Sequence, residues 1–429
     1  MPKTMQEVLF QYYVDPTTWV YLSCLMTIGI YFKFRRFWSV RNLDLIGVLA
    51  FGPGMLLIAA PGTANVGYVW LFVVGGLFLF RMLIDPIMVR RPLLEPNLSL
   101  DGLTFTGFAL FFFLIANAVT CKLIESDTRG AERMDMILSR HLSADELATL
   151  PGHGPGWPVF QVFSTFSNTA FVPDDVDKEK TPPPPRALVR AIATRSSVIL
   201  AHLAIVIGIV VIGYRHFENL HTGMAVGALY LLLPYSSQMT SQVDHVAPAA
   251  LIVWAIEAYR RPITAGILIG LAAGWVGYPI FLVPLWCGFY WRRGIVKFLI
   301  GVAIPIILLG ASLAYISSDF ASFMVHLKAM LGVNVFRMDT SSGFWSFHEP
   351  IYRIPVIVAF FVGCFGMFLW PAHKNLGTLM SGSAAVMLAT MFWYDPGTGI
   401  YHMGWFLPLL LLTIFRPNLE DRIAEAAVY

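Results

Sequence analysis

Two carboxylates lie directly after an apolar stretch, and their position is suited to proton-transfer chemistry. Glu125 and Asp127 follow "FTGFALFFFLIANAVTC", which has the length and composition of a membrane-crossing helix. A carboxylate at that junction lies between lipid head groups and water, where it can contact both a lipid-linked and a soluble substrate, and can act as a general acid or base. The competing interpretation is that Asp127 only caps the next helix and that Glu125 is solvated.

Two further loops contain polar residues whose types suit a substrate site. In "SQVDHVAP", Asp244 and His245 either contact substrate or only mark the end of a helix. The stretch "FRMDTSSGFWSFHEPIYR" mixes aromatic and charged side chains, which suits a sugar or a phosphate, and a solvated loop is the alternative. Its candidate residues are Arg337, Asp339, Trp345, His348, Glu349 and Arg353.

Metal, disulfide and nucleic-acid chemistry have little support in the sequence. The four cysteines are scattered through or beside apolar stretches, without the spacing of metal ligands. The formal net charge is only +3, and the basic residues are dispersed among short turns. We therefore expect no metal, no cofactor and no nucleic-acid partner.

The elements that position these residues must be membrane helices. The chain is 57% hydrophobic and 13% charged, with a mean hydropathy of +0.67, and a soluble protein cannot bury that much apolar side chain. Backbone polar groups in lipid must be paired within each segment, so an all-α, polytopic membrane protein is expected, with membrane lipids as partners.

The apolar stretches predict about thirteen membrane segments of near-spanning length. They are 17–31, 43–60, 66–83, 103–120, 196–214, 222–238, 246–259, 263–276, 280–291, 295–315, 354–370, 376–393 and 401–415.

Basic residues occur in every second short loop, and this pattern predicts the orientation. Short loops rich in Lys and Arg stay in the cytoplasm, so the N-terminus is expected outside and the C-terminus inside. No cleaved signal peptide or targeting segment is predicted, which favours a bacterial inner membrane. The basic residues of these loops are Lys33, Arg35, Arg36 and Arg41, then Arg90, Arg91, Arg215, Arg260, Arg261, Arg292, Arg293, Lys297, Lys374, Arg416 and Arg422.

The orientation requires the segment "ITAGILIGLAAGWVGYPIFLVPLWCGFYW" to be two short helices. A break is predicted at Gly277-Tyr278-Pro279, because proline removes a backbone donor. Each half is too short for a full crossing, so we expect a pair that dips into the membrane from the cytoplasm and lines a cavity.

The long outer loop 121–195 is predicted to begin with helices on the membrane surface. In "AERMDMILSRHL" the apolar residues share one helical face and the charged residues take the other. "SADE" then matches the capping box of a second short helix.

A family resemblance rests on the residues from Tyr230 to Trp286. This stretch resembles the integral-membrane glycosyltransferases of the GT-C superfamily, especially their polyprenyl-phosphate-sugar-dependent, mannosyltransferase-like branch. Ser241-Gln242 stands at that family's Gly-Gln turn, Arg260 and Arg261 at its basic turn, Gly266 to Gly270 at its glycine segment, and Pro279 and Pro284 at its prolines. The closing "GIYHMGWFLPLLLL" is similar to the family's terminal helix.

The resemblance implies a reaction and roles for particular residues. It implies transfer of a sugar from a polyprenyl-phosphate donor to a lipid or glycan acceptor on the non-cytoplasmic face. Asp127, or failing it Glu125, would be the catalytic base. Gln242, Asp244 and His245 would contact substrate, and Arg337, His348 and Arg353 would stabilise the departing phosphate.

The sequence departs from the family pattern in two places. No basic residue precedes Pro279 in "AGWVGYP", and the loop with Asp127 follows the fourth predicted segment instead of the first. The expected organisation is an N-terminal three-helix region (1–102), a GT-C-like membrane core (103–315) and a C-terminal region with the second outer loop (316–429).

Two other function classes fit the same composition. A transporter or lipid flippase is compatible with the many segments and the broken helix pair, and its flux would depend on His202, an ionisable group within a predicted segment. A non-catalytic membrane scaffold would use the long outer loop to dock a partner.

Overall fold

The structure is a computed structural model, and its described part is entirely helical. It describes residues 15–88, 96–120, 156, 159–160, 185–238, 243–317, 320–321, 323–324, 327, 343–393, 403–419 and 422–423. Within these ranges the regular structure consists of α-helices and short 3-10 helices, without a strand. The predicted all-α class is confirmed.

The α-helices of the described residues follow the predicted apolar stretches. They are α1 Pro16–Tyr31, α2 Val40–Leu49, α3 Phe51–Ala59, α4 Ala64–Ile84, α5 Leu100–Thr120, α6 Pro185–Arg215, α7 Leu220–Leu232, α8 Pro234–Gln238, α9 Val243–Glu257, α10 Pro262–Val276, α11 Val283–Phe289, α12 Ile295–Ile316, α13 Arg353–Leu369, α14 Leu376–Thr390 and α15 Met403–Ile414.

Five helical stretches of the described chain are long and apolar enough to cross a membrane, which indicates an integral membrane protein. Other apolar helices, including α7, α10, α14 and α15, are shorter. The predicted number of about thirteen spans is therefore not shown. The five stretches are Val40–Ala59, Ala64–Ile87, Leu100–Ala118, Ala193–Arg215 and Ile295–Tyr315.

The outer surface of the bundle is apolar, while other helices are buried within it. On α5, Phe105, Phe108 and Phe112 are exposed, and their spacing places them on one face of the helix. By contrast, nearly every residue of α7, α14 and α15 is buried. An exposed apolar face of this kind is stable against lipid, and the central helices form the core.

The break predicted at Gly277 is confirmed, and it forms a helical hairpin. Gly277 has φ +80°, a left-handed conformation that glycine adopts readily, and a 3-10 helix, Tyr278–Leu282, connects α10 to α11. After α11, the Tyr290 hydroxyl donates to the Tyr259 carbonyl oxygen at 2.6 Å. Since Tyr259 precedes α10, the chain returns to the end of the bundle at which the hairpin begins.

Glycines on one face of α10 allow close packing against α12. A Cβ atom at Gly270 would lie 2.5 Å from the Pro305 ring and 2.6 Å from the Val302 carbonyl oxygen. Gly266 and Gly274, one helical turn away on either side, face Gly301 and Leu309 with as little room. This spacing of small residues is typical of helix pairs in membranes.

The contacts define two ends of the bundle. At the charged end, the Arg215 guanidinium pairs with Glu257 at 2.6 Å, where α6 and α9 finish. At the aromatic end, the start of α9, the end of α10 and the start of α15 meet through Asp244, Trp275 and Trp405. The basic loops beside α6 and α9 thus lie opposite the loop that contains Gly277, as the alternation along the sequence predicts.

Two predicted segments are each divided into two helices in the structure. The stretch 43–60 is α2 and α3, which meet at Ala50. The stretch 222–238 is α7 and α8, because the chain is extended at Leu233 before Pro234. The predicted surface helices after Cys121 lie outside the described residues.

Candidate functional site

A carboxylate and an indole join two helices at the aromatic end. Asp244 lies in the first turn of α9, and its Oδ1 accepts a hydrogen bond from Trp275 Nε1 at 2.7 Å. Trp275 is two residues before the Gly277 break. A carboxylate at a helix N-terminus is stabilised by the helix dipole. The bond therefore fixes a charged side chain against the broken hairpin.

Aromatic rings surround this pair. The imidazole of His245, the next residue of α9, is stacked with Trp405 at a centroid distance of 5.9 Å. The ring of Tyr278, directly after the break, is also stacked with the indole of Trp405. A Cβ at Gly404 would lie 2.7 Å from the Tyr235 hydroxyl oxygen, so only glycine lets α15 approach this closely. The result is an aromatic wall beside Asp244.

Part of the long loop that follows α5 is anchored on the same site. The Gly156 N–H donates to the Gly274 carbonyl oxygen at 2.7 Å. The ring of Phe160 stacks on Trp275 with centroids 4.1 Å apart and planes 8° apart. The loop that contains Asp127 in sequence therefore packs directly on the indole that binds Asp244.

The loop that precedes α13 packs beside this end as well. Trp345 Nε1 donates to the Phe392 carbonyl oxygen at 2.7 Å, and Arg353 Nε donates to the Trp393 carbonyl oxygen at 2.7 Å. Arg353 is buried, whereas His348 is exposed, with its ring 4.4 Å from that of Phe344. Arg353 thus holds the loop onto the end of α14, and His348 is accessible.

The structure brings together only some of the predicted site residues. Asp244 and His245 lie side by side on α9 at the aromatic end. Arg353 contributes to the packing of the second loop. The other candidates, Asp127, Glu125, Gln242 and Arg337, lie outside the described residues, and their roles stay predictions.

A buried charge network at the other end was missed by the sequence analysis. Arg81 contacts Asp44 through two hydrogen bonds of 3.2 Å and Asp85 through one of 3.0 Å. Arg416 Nη2 contacts the second oxygen of Asp85 at 2.8 Å. The i,i+4 spacing of Arg81 and Asp85 was the available signal. The network links α2 and α4 to the residues after α15.

Two histidines occupy different environments near α7. His202 on α6 is fully buried, with Nδ1 2.9 Å from the Tyr230 hydroxyl oxygen. Within the described residues its Nε2 has no hydrogen-bond partner. His216 donates from Nε2 to the Glu257 carbonyl oxygen at 2.8 Å, and burial lowers its pKa below the ordinary value, against a smaller raising effect of that bond.

Glu257 pairs with a cation on another helix. Arg260 and Arg261 are close to it in sequence, but the carboxylate pairs with Arg215 at the end of α6. The packing of α9 against α6, where Trp254 Nε1 donates to the Ala204 carbonyl oxygen at 3.0 Å, brings the end of α6 to Glu257.

The described residues contain no cluster of three or more His, Cys, Asp or Glu side chains suited to a metal ion. No protein-family model, curated protein or solved structure matches this chain.

Proposed function

We propose that this integral membrane protein is a glycosyltransferase that moves a sugar from a polyprenyl-phosphate donor to a lipid or glycan acceptor. The observation that supports it is the contact of Gly156 and Phe160 with Gly274 and Trp275. This contact joins the loop of the proposed catalytic base to a second carboxylate, Asp244, and to an aromatic wall.

The proposed reaction is a single displacement at the sugar C1. Asp127 takes the proton of the acceptor hydroxyl group as its oxygen forms a bond to C1. The bond between C1 and the phosphate oxygen breaks, and the polyprenyl phosphate leaves with the electron pair. One base suffices for this inverting transfer, whereas water-activating glycosidases use two carboxylates at a fixed separation.

The aromatic end supplies groups suited to a sugar. Aromatic rings present apolar faces that can pack on the C–H faces of a sugar ring, and Trp275 and Phe160 are the partly accessible rings of this end, whereas Trp405 and Tyr278 are buried against each other. Asp244 is an acceptor for sugar hydroxyl groups, and its bond to Trp275 fixes its rotamer. His348 and Arg337 of the second loop are the proposed cations for the departing phosphate.

The proposal includes the orientation in the membrane. The aromatic end faces the non-cytoplasmic side and the charged end faces the cytoplasm, with the N-terminus outside and the C-terminus inside. About thirteen membrane segments, counting the two halves of the hairpin separately, give this arrangement. A bacterial inner membrane is the proposed location.

A transfer assay with matched variants tests the function. Purified protein in lipid nanodiscs receives a radiolabelled polyprenyl-phosphate hexose and a membrane extract as the source of acceptor. Release of polyprenyl phosphate is the readout. We expect Asp127→Asn to lower the rate about 100-fold or more, since general bases contribute about that factor, and Asp244→Asn to raise KM.

The control is Asp101→Asn, the same change at an exposed position in the first turn of α5. It should retain the wild-type rate. A wild-type rate for Asp127→Asn, or no release by the wild-type protein with any polyprenyl-phosphate hexose offered, contradicts the proposal.

A transporter is a second candidate, and the buried His202 favours it. A histidine ring nitrogen without a partner inside a helix bundle can bind a transported solute or proton. Flux assays in proteoliposomes with His202→Gln would separate the two classes. Flux that requires His202, together with no transfer activity, would favour the transporter.

A further inference from the structure

The short connection between α1 and α2 exposes an unbroken run of aromatic and basic side chains. All five residues of "FRRFW", from Phe34 to Trp38, are exposed. The exposed fraction is 69% for Phe34 and 79% for Trp38. We call these five residues the basic-aromatic turn. Such side chains are costly in water, so their shared exposure needs a partner.

The basic-aromatic turn has a fixed backbone. Asn42 is fully buried, and its Nδ2 donates to the carbonyl oxygens of Lys33, Arg36 and Phe37 at 3.0 to 3.1 Å. Its Oδ1 accepts from the Lys33 N–H at 3.2 Å. One amide side chain thereby holds both ends of the turn, and the exposed side chains are preorganised.

A second asparagine holds the preceding turn of the chain. Asn97 Nδ2 donates to the carbonyl oxygens of Gly29 and Phe32 at 3.0 and 3.2 Å, and its Oδ1 accepts from Lys33 Nζ at 3.0 Å. The Lys33 ammonium group is therefore used internally. The ring of Phe32 is buried against Phe34, which supports the exposed ring from below.

The charges of Arg35 and Arg36 are not neutralised by the described protein. Neither guanidinium group has an ion pair or hydrogen bond with any side chain in the described structure. The nearest acid along the chain, Asp44, is buried and pairs with Arg81. Two adjacent guanidinium groups are suited to binding the oxygens of one phosphate, since their planar donors match its geometry.

The position of the turn selects the kind of partner. Val40–Ala59, a helix pair long and apolar enough to cross a membrane, begins directly after it. Aromatic rings at such a position lie at the level of the lipid head groups. Basic residues there attract anionic lipids.

We propose that the basic-aromatic turn binds the phosphate head group of an anionic phospholipid. Arg35 and Arg36 contact the phosphate, while Phe34, Phe37 and Trp38 pack at the boundary between head groups and acyl chains. This inference is independent of the proposed transfer reaction.

Native mass spectrometry of the full chain in detergent tests the proposal. Phosphatidylglycerol and phosphatidylcholine with identical acyl chains are titrated separately, and the Kd of the first bound lipid is measured for each. The wild-type protein should prefer phosphatidylglycerol. Arg35→Gln/Arg36→Gln should weaken its binding about 25-fold, from the usual contribution of two basic groups at a membrane surface. Phosphatidylcholine binding should weaken much less, because its choline ammonium group already neutralises the phosphate charge.

Matched variants distinguish a built site from diffuse charge. Arg261→Gln/Lys297→Gln removes the same charge from two exposed residues at the charged end and should keep the wild-type preference. Arg35→Lys/Arg36→Lys keeps the charge without the planar donors and should bind at an intermediate affinity. All variants alter exposed side chains, and thermal unfolding checks that they fold.

Three results would overturn the inference. One is an unchanged lipid preference in Arg35→Gln/Arg36→Gln. Another is an equal loss in the Arg261→Gln/Lys297→Gln control, which would indicate diffuse electrostatics. The third is unchanged lipid binding together with loss of a co-purified protein or nucleic acid, which would make the turn a docking site for that macromolecule.

Discussion

Replacement of Arg416 by methionine should destabilise the folded protein by removing one of the cations that pair with the buried carboxylate of Asp85. The Asp85 side chain is completely inaccessible, and that of Arg416 is 3% exposed. Within the contacts of the described residues, the network pairs two carboxylates, Asp44 and Asp85, with two guanidinium groups, Arg81 and Arg416, so their formal charges balance. In Arg416→Met the hydrophobic volume is largely kept, and a buried net charge of −1 remains.

The expected loss follows from the geometry of the network. Removal of one partner of a buried ion pair costs about 3–5 kcal/mol. Asp85 keeps its 3.0 Å contact with Arg81 in the variant, so we expect about 3 kcal/mol, the lower end of that range.

A double-mutant cycle isolates the charge effect from lost packing. Asp85→Leu/Arg416→Met removes one acid and one base and leaves the pair of Asp44 and Arg81 intact. Its free-energy cost should be lower than the sum of the single changes, by about 2 kcal/mol. The free energy of unfolding is measured in mixed micelles with increasing dodecyl sulfate, followed by tryptophan fluorescence.

The matched control is Arg215→Met, which breaks the pair with Glu257 at a position where Arg215 is 61% exposed. Solvent screens that pair, so a loss of about 0–1 kcal/mol is expected. The reasoning is wrong if Arg416→Met costs no more than this control, or if the two single changes are additive in the double variant.

Three further predictions concern packing, pH and the second outer loop. Gly270→Ala should destabilise the protein by about 1–3 kcal/mol, because the added methyl group meets α12. Stability should rise as pH increases toward about 6.5, the ordinary pKa of histidine, since burial lowers the pKa of His216 in the folded protein and the unfolded chain binds its proton more readily. His216→Gln, which can still donate to Glu257, should remove this contribution. Arg353→Leu should cost about 1–3 kcal/mol by leaving the buried Trp393 carbonyl oxygen without its Nε donor. Thermal or detergent-induced unfolding measures each.

Each of these has a result that would contradict it. Gly310→Ala on α12 adds the same methyl group into open space, so equal losses in the two glycine variants would refute the packing argument. An unchanged pH profile in His216→Gln would show that another group titrates. If Arg353→Leu unfolds as the wild type does, Arg353 does not hold the second loop.

Local patterns determined the fold class and the positions of the helices. Hydrophobic composition requires a membrane environment for this chain, and lipid requires paired backbone groups, so helices were predictable from the sequence. The break at Gly277 was also predictable from the sequence, because Gly277 and Pro279 change the backbone conformation of the turn in which they lie.

Partner choice among charged and aromatic groups was not predictable. Arg416 lies 331 residues from Asp85 along the chain, and Glu257 pairs with Arg215 on another helix instead of the neighbouring arginines. The hydrophobic periodicity of a helix indicates which face is buried, but it does not indicate which other helix packs against that face. For that reason sequence spacing identified Asp244 as a candidate but gave no indication that Trp275 binds it.

The sequence by itself determined that this is a helical membrane protein, with a hairpin broken at Gly277 and basic residues in every second short loop. Transfer free energy and backbone stereochemistry are properties of short segments, so these features can be predicted locally. Only the tertiary structure decided that the loop after α5 packs on Trp275 beside Asp244, and that Asp85 and Arg416 meet in the interior. Those contacts join segments that are far apart in sequence, so they depend on how the helices pack. A contact contributes to stability only when packing brings both partners together, and no local sequence pattern specifies that packing.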